Sequence, residues 1–144
     1  MDTSKEYIQM CREAEEMQRY YDIHLNNIYN WFYVEPLKQI LMLEYLNRTA
    51  VNWLSFGQGF RSFQRTECTW LPRQDQLQEM ISTDLNELVT VFFDEIKWGE
   101  HGNMISKNPM YIIGLKSMEQ LWLAFVMKKK YNKTWNGTIW IEEE

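Results

Sequence analysis

The sequence predicts a mainly α single domain over residues 1–144, a helical bundle around a buried C-terminal helix. A chain of 144 residues is the usual size of one domain. Three prolines and six glycines are few for a turn-rich β-sandwich. The segment from Leu121 to Met127 is apolar at every position, which is typical of a helix buried on all sides. A small β-hairpin is compatible with this bundle, and an α+β fold is the alternative.

The N-terminal segment predicts a long amphipathic helix. Thr3 and Glu6 have the spacing of a capping box, and apolar residues then recur at helical intervals. We therefore expect helix A from about Ser4 to Tyr21. The following segment, 22–34, is either a weak second helix or an aromatic-rich connection.

A second helix, helix B, is predicted over residues 36–54. Pro36 suits the first turn of a helix, and the leucines and isoleucine that follow occupy more than one helical face. Gly57 and Gly59 should end helix B, because glycine disfavours helix. Residues 60–70 alternate weakly in polarity, so a short strand or a loop is expected there.

Helix C is predicted from about Arg73 to Lys97, with a break at Ser82–Asp84 where a new helix can be capped. The segment Gly99–Pro109 lacks periodicity and is expected to be a loop. The apolar run Met110–Leu115 is either a strand or a lead-in to the next helix.

The central helix is predicted from Ser117 to Tyr131. Ser117 and Gln120 form a second capping box, and Lys128–Lys130 place cations at the carbonyl end of the helix dipole. Beyond it, Asn136-Gly137 is the signal of a tight hairpin turn. We expect this hairpin to pack Trp135 and Trp140 back onto the core.

Charge and cysteine content limit the class of protein. The net charge is −5 and the pI is about 5.1, so the chain as a whole has no attraction for phosphate. The N-terminal residues include several glutamates and no apolar segment of the kind a signal peptide has, and no apolar run is long enough for a membrane helix. Cys11 and Cys68 alone are no disulfide framework. A cytoplasmic protein without membrane contact is expected.

No catalytic, metal-binding or cofactor-binding residue can be assigned. His24 and His101 lack a partner at ligand spacing, and Cys68 lies in no nucleophile motif. Glu95 and Glu100 approach His101 in sequence, but nothing fixes their geometry. The chain is expected not to be an enzyme, with an unrecognised active site as an alternative.

Two clusters are candidate binding surfaces. The first cluster, at the end of the central helix, combines lysines with an aromatic ring, a composition used to bind single-stranded nucleic acid. Lysines are also expected there without any ligand, because cations interact favourably with the carbonyl end of the helix dipole. The second follows from seven Trp, eight Tyr and seven Phe, because aromatic residues are enriched at protein interfaces. It predicts a homodimer or a heterologous protein partner. The first cluster is Lys128, Lys129, Lys130, Tyr131 and Lys133; the second is Trp31, Phe32, Tyr33, Trp135 and Trp140.

Two blocks, WLPRQDQLQEMI at 70–81 and SMEQLWLAFVMKKKYNKTWNGTIW at 117–140, resemble recurring blocks of small phage and prophage proteins of uncharacterised function. The resemblance covers about a quarter of the chain and carries no catalytic role. It implies a cytoplasmic accessory protein from a phage or prophage gene. We therefore expect a non-enzymatic protein that acts through protein–protein interaction, with a nucleic-acid-associated factor as the alternative.

Overall fold

The computed structural model describes residues 1–25, 30–45, 53–56, 61–96 and 114–143. These residues form five α-helices, a five-stranded antiparallel sheet and a two-stranded hairpin. The prediction of a mainly α bundle is therefore wrong, and the α+β alternative describes the fold. The chain divides into two compact units, Thr3–Pro72 and Met1–Asp2 with Arg73–Glu144.

The unit Thr3–Pro72 combines two helices with the larger sheet. The strand order is β4-β3-β2-β1-β5, and each strand is antiparallel to its neighbours. A 3₁₀ turn joins the last two strands of the unit. Its elements are α1 (Lys5–Glu13), α2 (Glu15–His24), β1 (Asn30–Val34), β2 (Gln39–Tyr45), β3 (Trp53–Phe56), β4 (Arg61–Gln64) and β5 (Cys68–Trp70).

Helix A is two helices, because the backbone leaves the helical region at Ala14 (φ −87°, ψ 72°). The Gln18 side-chain amide in α2 donates to the Cys11 carbonyl in α1 at 2.9 Å and so connects the two helices. The N-cap is Ser4 rather than Thr3; its hydroxyl accepts a hydrogen bond from the Tyr7 amide at 3.2 Å.

The prediction of helix B is wrong, since β2 and the beginning of β3 lie within residues 36–54 and β2 pairs with β1 as a hairpin. Pro36 lies in the turn Glu35–Lys38, where its fixed φ suits a β-turn as well as it suits a helix start. The apolar run 40–43 has no helical period. In the strand it alternates between faces, so Leu43 is fully buried while Met42 is exposed.

The segment 22–34 is neither a second helix nor a simple connection, because α2 continues to His24 and β1 begins at Asn30. The strand expected within 60–70 is confirmed as β4 and β5. The Tyr21 ring lies against both Phe32 and Trp70, with centroids 5.0 and 5.3 Å apart. These contacts pack α2 on one face of the sheet.

The second unit is organised around the predicted central helix. All six side chains from Trp122 to Met127 are buried, which confirms that this helix is a core element. Ser117 is its N-cap and accepts from the Gln120 amide at 3.1 Å. The elements of the unit are α3 (Gln74–Glu79), α4 (Leu85–Ile96), α5 (Met118–Tyr131), β6 (Lys133–Trp135) and β7 (Trp140–Glu142).

Helix C is broken as predicted, between α3 and α4, and Asp84 caps the new start by accepting from the Glu87 amide at 2.9 Å. The C-terminal hairpin is also present, but its loop has four residues, 136–139, instead of two. The Asn136 side chain explains the difference, since it accepts from the amides of Thr138 and Ile139 at 2.8 and 2.9 Å.

The predicted loop Gly99–Pro109, the apolar residues 110–113 and the glycines Gly57 and Gly59 lie outside the described residues.

Candidate interaction surfaces

Helix α4 has a wide apolar arc, and one part of it is packed inside its unit. Leu88 is buried. The Phe92 ring stacks on Trp122 with centroids 4.3 Å apart and planes 19° apart, and it meets the edge of Phe125 at 5.4 Å. This inner face attaches α4 to α5.

The other part of this apolar arc is exposed. Leu85, Val89 and Phe93 follow one another at intervals of four residues, so they form a single row; their exposed fractions are 71%, 44% and 54%. We call these three residues the outer row. It offers about 300 Å² of apolar surface, a patch size that often has a function in a monomer.

The sequence contained a signal for the outer row. Leu85, Leu88, Val91, Phe92 and Ile96 form the helical stripe of residues 84–98, and this stripe leaves out Val89 and Phe93. Twelve residues that include two phenylalanines, two valines and two leucines, however, contain more apolar side chains than one face of a surface helix usually has.

The sequence of α4 and of the segment before it is acidic. Between Arg73 and Lys97 the sequence has six carboxylates and no basic residue. Arg73 itself forms an ion pair with Asp75 at 2.8 Å, and this contact holds the pKa of Asp75 below its usual range. Within α4 itself, every ionisable residue is acidic.

The aromatic cluster of β1 is divided between the two faces of the sheet. Phe32 is fully buried and is therefore not available to a partner. Trp31 and Tyr33 point to the opposite face, where they stand in register with Met42 and Ile40 and are partly exposed. The Arg12 guanidinium lies 5.6 Å from the centre of the Tyr33 ring.

The aromatic pair of the hairpin is mostly internal. Trp135 and Trp140 are directly opposite each other in register, and their ring centroids are 5.1 Å apart. Trp140 is buried and Trp135 is partly buried. Their mutual contact uses much of the surface that the sequence assigned to a partner.

The lysine cluster has internal acceptors. Lys128 forms an ion pair with Glu143, which holds the pKa of that carboxyl below its usual range. Lys130 donates to the carbonyl of Met80 at 3.1 Å, and Lys133 stands opposite Glu142 in the hairpin. Lys129 and Lys130 are exposed, whereas Tyr131 and Lys133 are partly buried.

Cys68 and His24 are the candidate catalytic or metal-binding groups whose side chains the structure describes. Burial raises the pKa of the Cys68 thiol to about 12, although Arg65 acts in the opposite direction, so the thiol is a poor nucleophile. The His24 ring packs on Tyr20 at 4.5 Å. Glu100 and His101 lie outside the described residues, as does the side chain of Glu95.

In the part of the chain that the structure describes, no group of three or more His, Cys, Asp or Glu side chains has a metal-binding arrangement. Among the described helices, none has an apolar stretch long enough to cross a bilayer. No known protein family, curated protein or solved structure matches this chain.

Proposed function

We propose that this protein is a non-enzymatic interaction protein that binds a protein partner through the outer row of α4. The observation that carries the proposal is that α4 has a wide apolar arc, of which Leu88 and Phe92 are packed inside the unit while Leu85, Val89 and Phe93 stay exposed among the residues that the structure describes. Leu85, Val89 and Phe93 gain nothing from exposure to water, and covering them with a partner removes that cost.

The size of the outer row sets the strength of this contact. Full burial of a Leu, Val or Phe side chain contributes about 1.5–3 kcal/mol, so covering the exposed fractions contributes about 2–5 kcal/mol before the cost of association. A lasting complex needs a buried area above about 1,000 Å². The outer row is therefore the centre of a larger contact.

Quantitative affinity purification from cells that produce the protein tests the proposal. We compare the unchanged chain with L85Q/V89Q/F93Q, because Gln is uncharged and keeps helix propensity. The matched control is I139T/I141T, which removes exposed isoleucines from the hairpin. Partners should be lost only with the first variant. Equal recovery of every partner with all three proteins would refute the proposal.

Self-association through Trp31 and Tyr33 is a separate way in which the protein can act through protein–protein interaction. Both side chains are partly exposed on the sheet face opposite Phe32. Light scattering at micromolar concentration should give a mass near twice 17.6 kDa, and W31Q should return it to the monomer value. A monomer at every concentration would exclude this form and leave the α4 contact as the proposal.

The biological setting is proposed from the resemblance alone. Residues 70–81 and 117–140 resemble blocks of phage and prophage proteins, and we propose an accessory role inside the host cell. Parts of both blocks pack together, because α3 contacts α5 and Lys130 bonds to the Met80 carbonyl. Residues of both blocks therefore also contribute to the packing of this unit.

A nucleic-acid-associated function is the second candidate. Lys129 and Lys130 are exposed next to Tyr131, an arrangement that suits a single strand. Fluorescence anisotropy with a labelled single-stranded oligonucleotide tests it at two salt concentrations, since phosphate contacts weaken with salt. K129E/K130E should abolish binding. Unchanged affinity in that variant would eliminate this candidate.

A further inference from the structure

We propose that Asn136 is a site of spontaneous deamidation, in which the backbone nitrogen of Gly137 displaces ammonia from the asparagine side chain. The site lies in the four-residue loop 136–139 that joins β6 to β7, and it is independent of the outer row. Both Asn136 and Gly137 are exposed. Two further features of the loop support the proposal, one at the attacking nitrogen and one at the carbon that it attacks.

The attacking nitrogen of Gly137 is unhindered. In the part of the chain that the structure describes, the Gly137 N–H donates to no acceptor, so no hydrogen bond has to break before this nitrogen loses its proton. Gly137 has φ +100°, and apart from its chain neighbours no described atom lies within 4 Å of the position that a Cβ would take. The backbone at Gly137 can therefore rotate towards the geometry of the reaction without a steric penalty.

The carbon that is attacked, Cγ of Asn136, is made more electrophilic by the loop. The side-chain carbonyl oxygen of Asn136 accepts hydrogen bonds from the amides of Thr138 and Ile139 at 2.8 and 2.9 Å. Two backbone donors on one carbonyl oxygen stabilise the negative charge that develops there when a nucleophile adds to the carbon. Because the nucleophile belongs to the next residue, the attack is also intramolecular.

The reaction has two steps and needs only water. In the first step the Gly137 nitrogen forms a bond to Cγ of Asn136, the bond from Cγ to Nδ2 breaks, and ammonia leaves with the proton of the glycine N–H. The product is a cyclic imide. In the second step water opens the imide, either at Cγ, which gives aspartate, or at the main-chain carbonyl of residue 136, which gives isoaspartate. No atom is oxidised or reduced.

The two products should affect the hairpin differently. Aspartate keeps an acceptor oxygen in place, so it can accept from the Thr138 and Ile139 amides with the added strength of a charged acceptor. Isoaspartate inserts a carbon into the backbone between the paired residues Trp135 and Trp140, whose ring centroids are 5.1 Å apart. Each product adds a negative charge to a chain whose net charge is −5.

Asn86 provides a comparison within the same chain. Asn86 is also exposed, but it lies in α4 and is followed by Glu87 instead of glycine. The Glu87 N–H donates to the Asp84 side chain at 2.9 Å, so the nitrogen that would attack is already engaged. We therefore expect Asn86 to react much more slowly than Asn136.

Incubation of the full chain at mildly alkaline pH, followed by peptide mapping with mass spectrometry, tests the proposal. The peptide 134–144, released by cleavage after Lys133, contains a single asparagine. It should gain about 1 Da, and isoaspartyl methyltransferase should label part of the product. The gain should be at least about tenfold faster than in the peptide 74–97, which contains Asn86. N136Q should abolish the gain, because its longer side chain closes the ring less readily.

The same chain unfolded in guanidinium chloride separates the effect of the loop from that of the dipeptide alone. The native rate at Asn136 should equal or exceed the unfolded rate, because only the native loop holds two donors on the side-chain carbonyl. A native rate lower by about threefold or more would show that the hairpin protects Asn136, and the proposal would be wrong. Equal native rates at Asn136 and Asn86 would also overturn it.

Discussion

Adjacent phenylalanines on α4 should differ sharply in their contribution to stability. Phe92 stacks on Trp122 and touches Phe125, whereas Phe93 is 54% exposed in the outer row. Replacing each by Ala removes the same atoms from the same helix turn. We therefore expect F92A to destabilise the protein strongly and F93A to do so only slightly.

The magnitudes follow from these contacts. A buried phenylalanine costs about 3–5 kcal/mol when truncated to Ala; Phe92 is partly buried, so we expect about 2–4 kcal/mol, which includes its two ring contacts. Phe93 is 54% exposed and forms a ring contact only with Phe92 in the described part of the chain. Its loss should cost about 1 kcal/mol or less, partly offset by the higher helix propensity of Ala.

Urea unfolding monitored by far-ultraviolet circular dichroism and by tryptophan fluorescence measures both changes. The free energies come from the shift of the midpoint, provided that the slope m is unchanged. Losses that agree within about 0.5 kcal/mol, or a larger loss for F93A, would show that α4 is packed on a different face.

Three further outcomes are expected. Q18A should lower the unfolding free energy by about 2–3 kcal/mol, because the Gln18 side-chain amide accepts from the backbone N–H of Trp70 at 2.8 Å and donates to the backbone carbonyl of Trp70 at 3.1 Å. A thermal midpoint equal to that of the unchanged chain would contradict this. K38G should stabilise by about 1 kcal/mol relative to K38A, because Lys38 has φ +54°, and equal midpoints in urea would refute it. Burial raises the pKa of the Cys68 thiol from 9.0 to about 12, so its contribution to the unfolding free energy is complete below pH 9 and is lost as pH rises towards 12. C68S should flatten that decline, and parallel curves of unfolding free energy against pH for C68S and the unchanged chain would argue against it.

Local signals in the sequence predicted those elements whose residues depend mainly on their neighbours in the chain. Ser117 with Gln120, Asp84 before α4 and the unbroken apolar run of α5 all specify helix ends or complete burial without reference to distant residues. The hairpin at Asn136-Gly137 is local in the same sense. These predictions are confirmed.

The sheet depends on pairing between segments that are distant in sequence, and the local pattern did not reveal it. Residues 36–54 have leucines and isoleucine at intervals that a helix also allows. Antiparallel pairing of β1 with both β2 and β5 decides the outcome, and β5 is about 35 residues further along the chain. Pro36 then serves a turn instead of a helix start.

The sequence predicted that the protein has an interaction surface, but it did not predict the outer row of α4 as that surface. Aromatic content predicted interaction surfaces at Trp31–Tyr33 and at Trp135 with Trp140, but Phe32 and Trp140 are buried within their own units. The outer row of α4 was missed because the sequence pattern does not show which part of a wide apolar arc is packed and which part is exposed. Only the position of Trp122 and Phe125 shows which face is already covered.

Thiol labelling at two neighbouring positions of α4 tests the central claim most directly. Both native cysteines are buried, so a cysteine introduced by V89C or by L88C is the only accessible candidate for a thiol reagent. In the native protein, V89C should react about tenfold or more faster than L88C, because Val89 lies in the outer row and Leu88 faces the core. Equal and slow labelling of both would show that the outer row is covered within the chain itself and is not open to a partner.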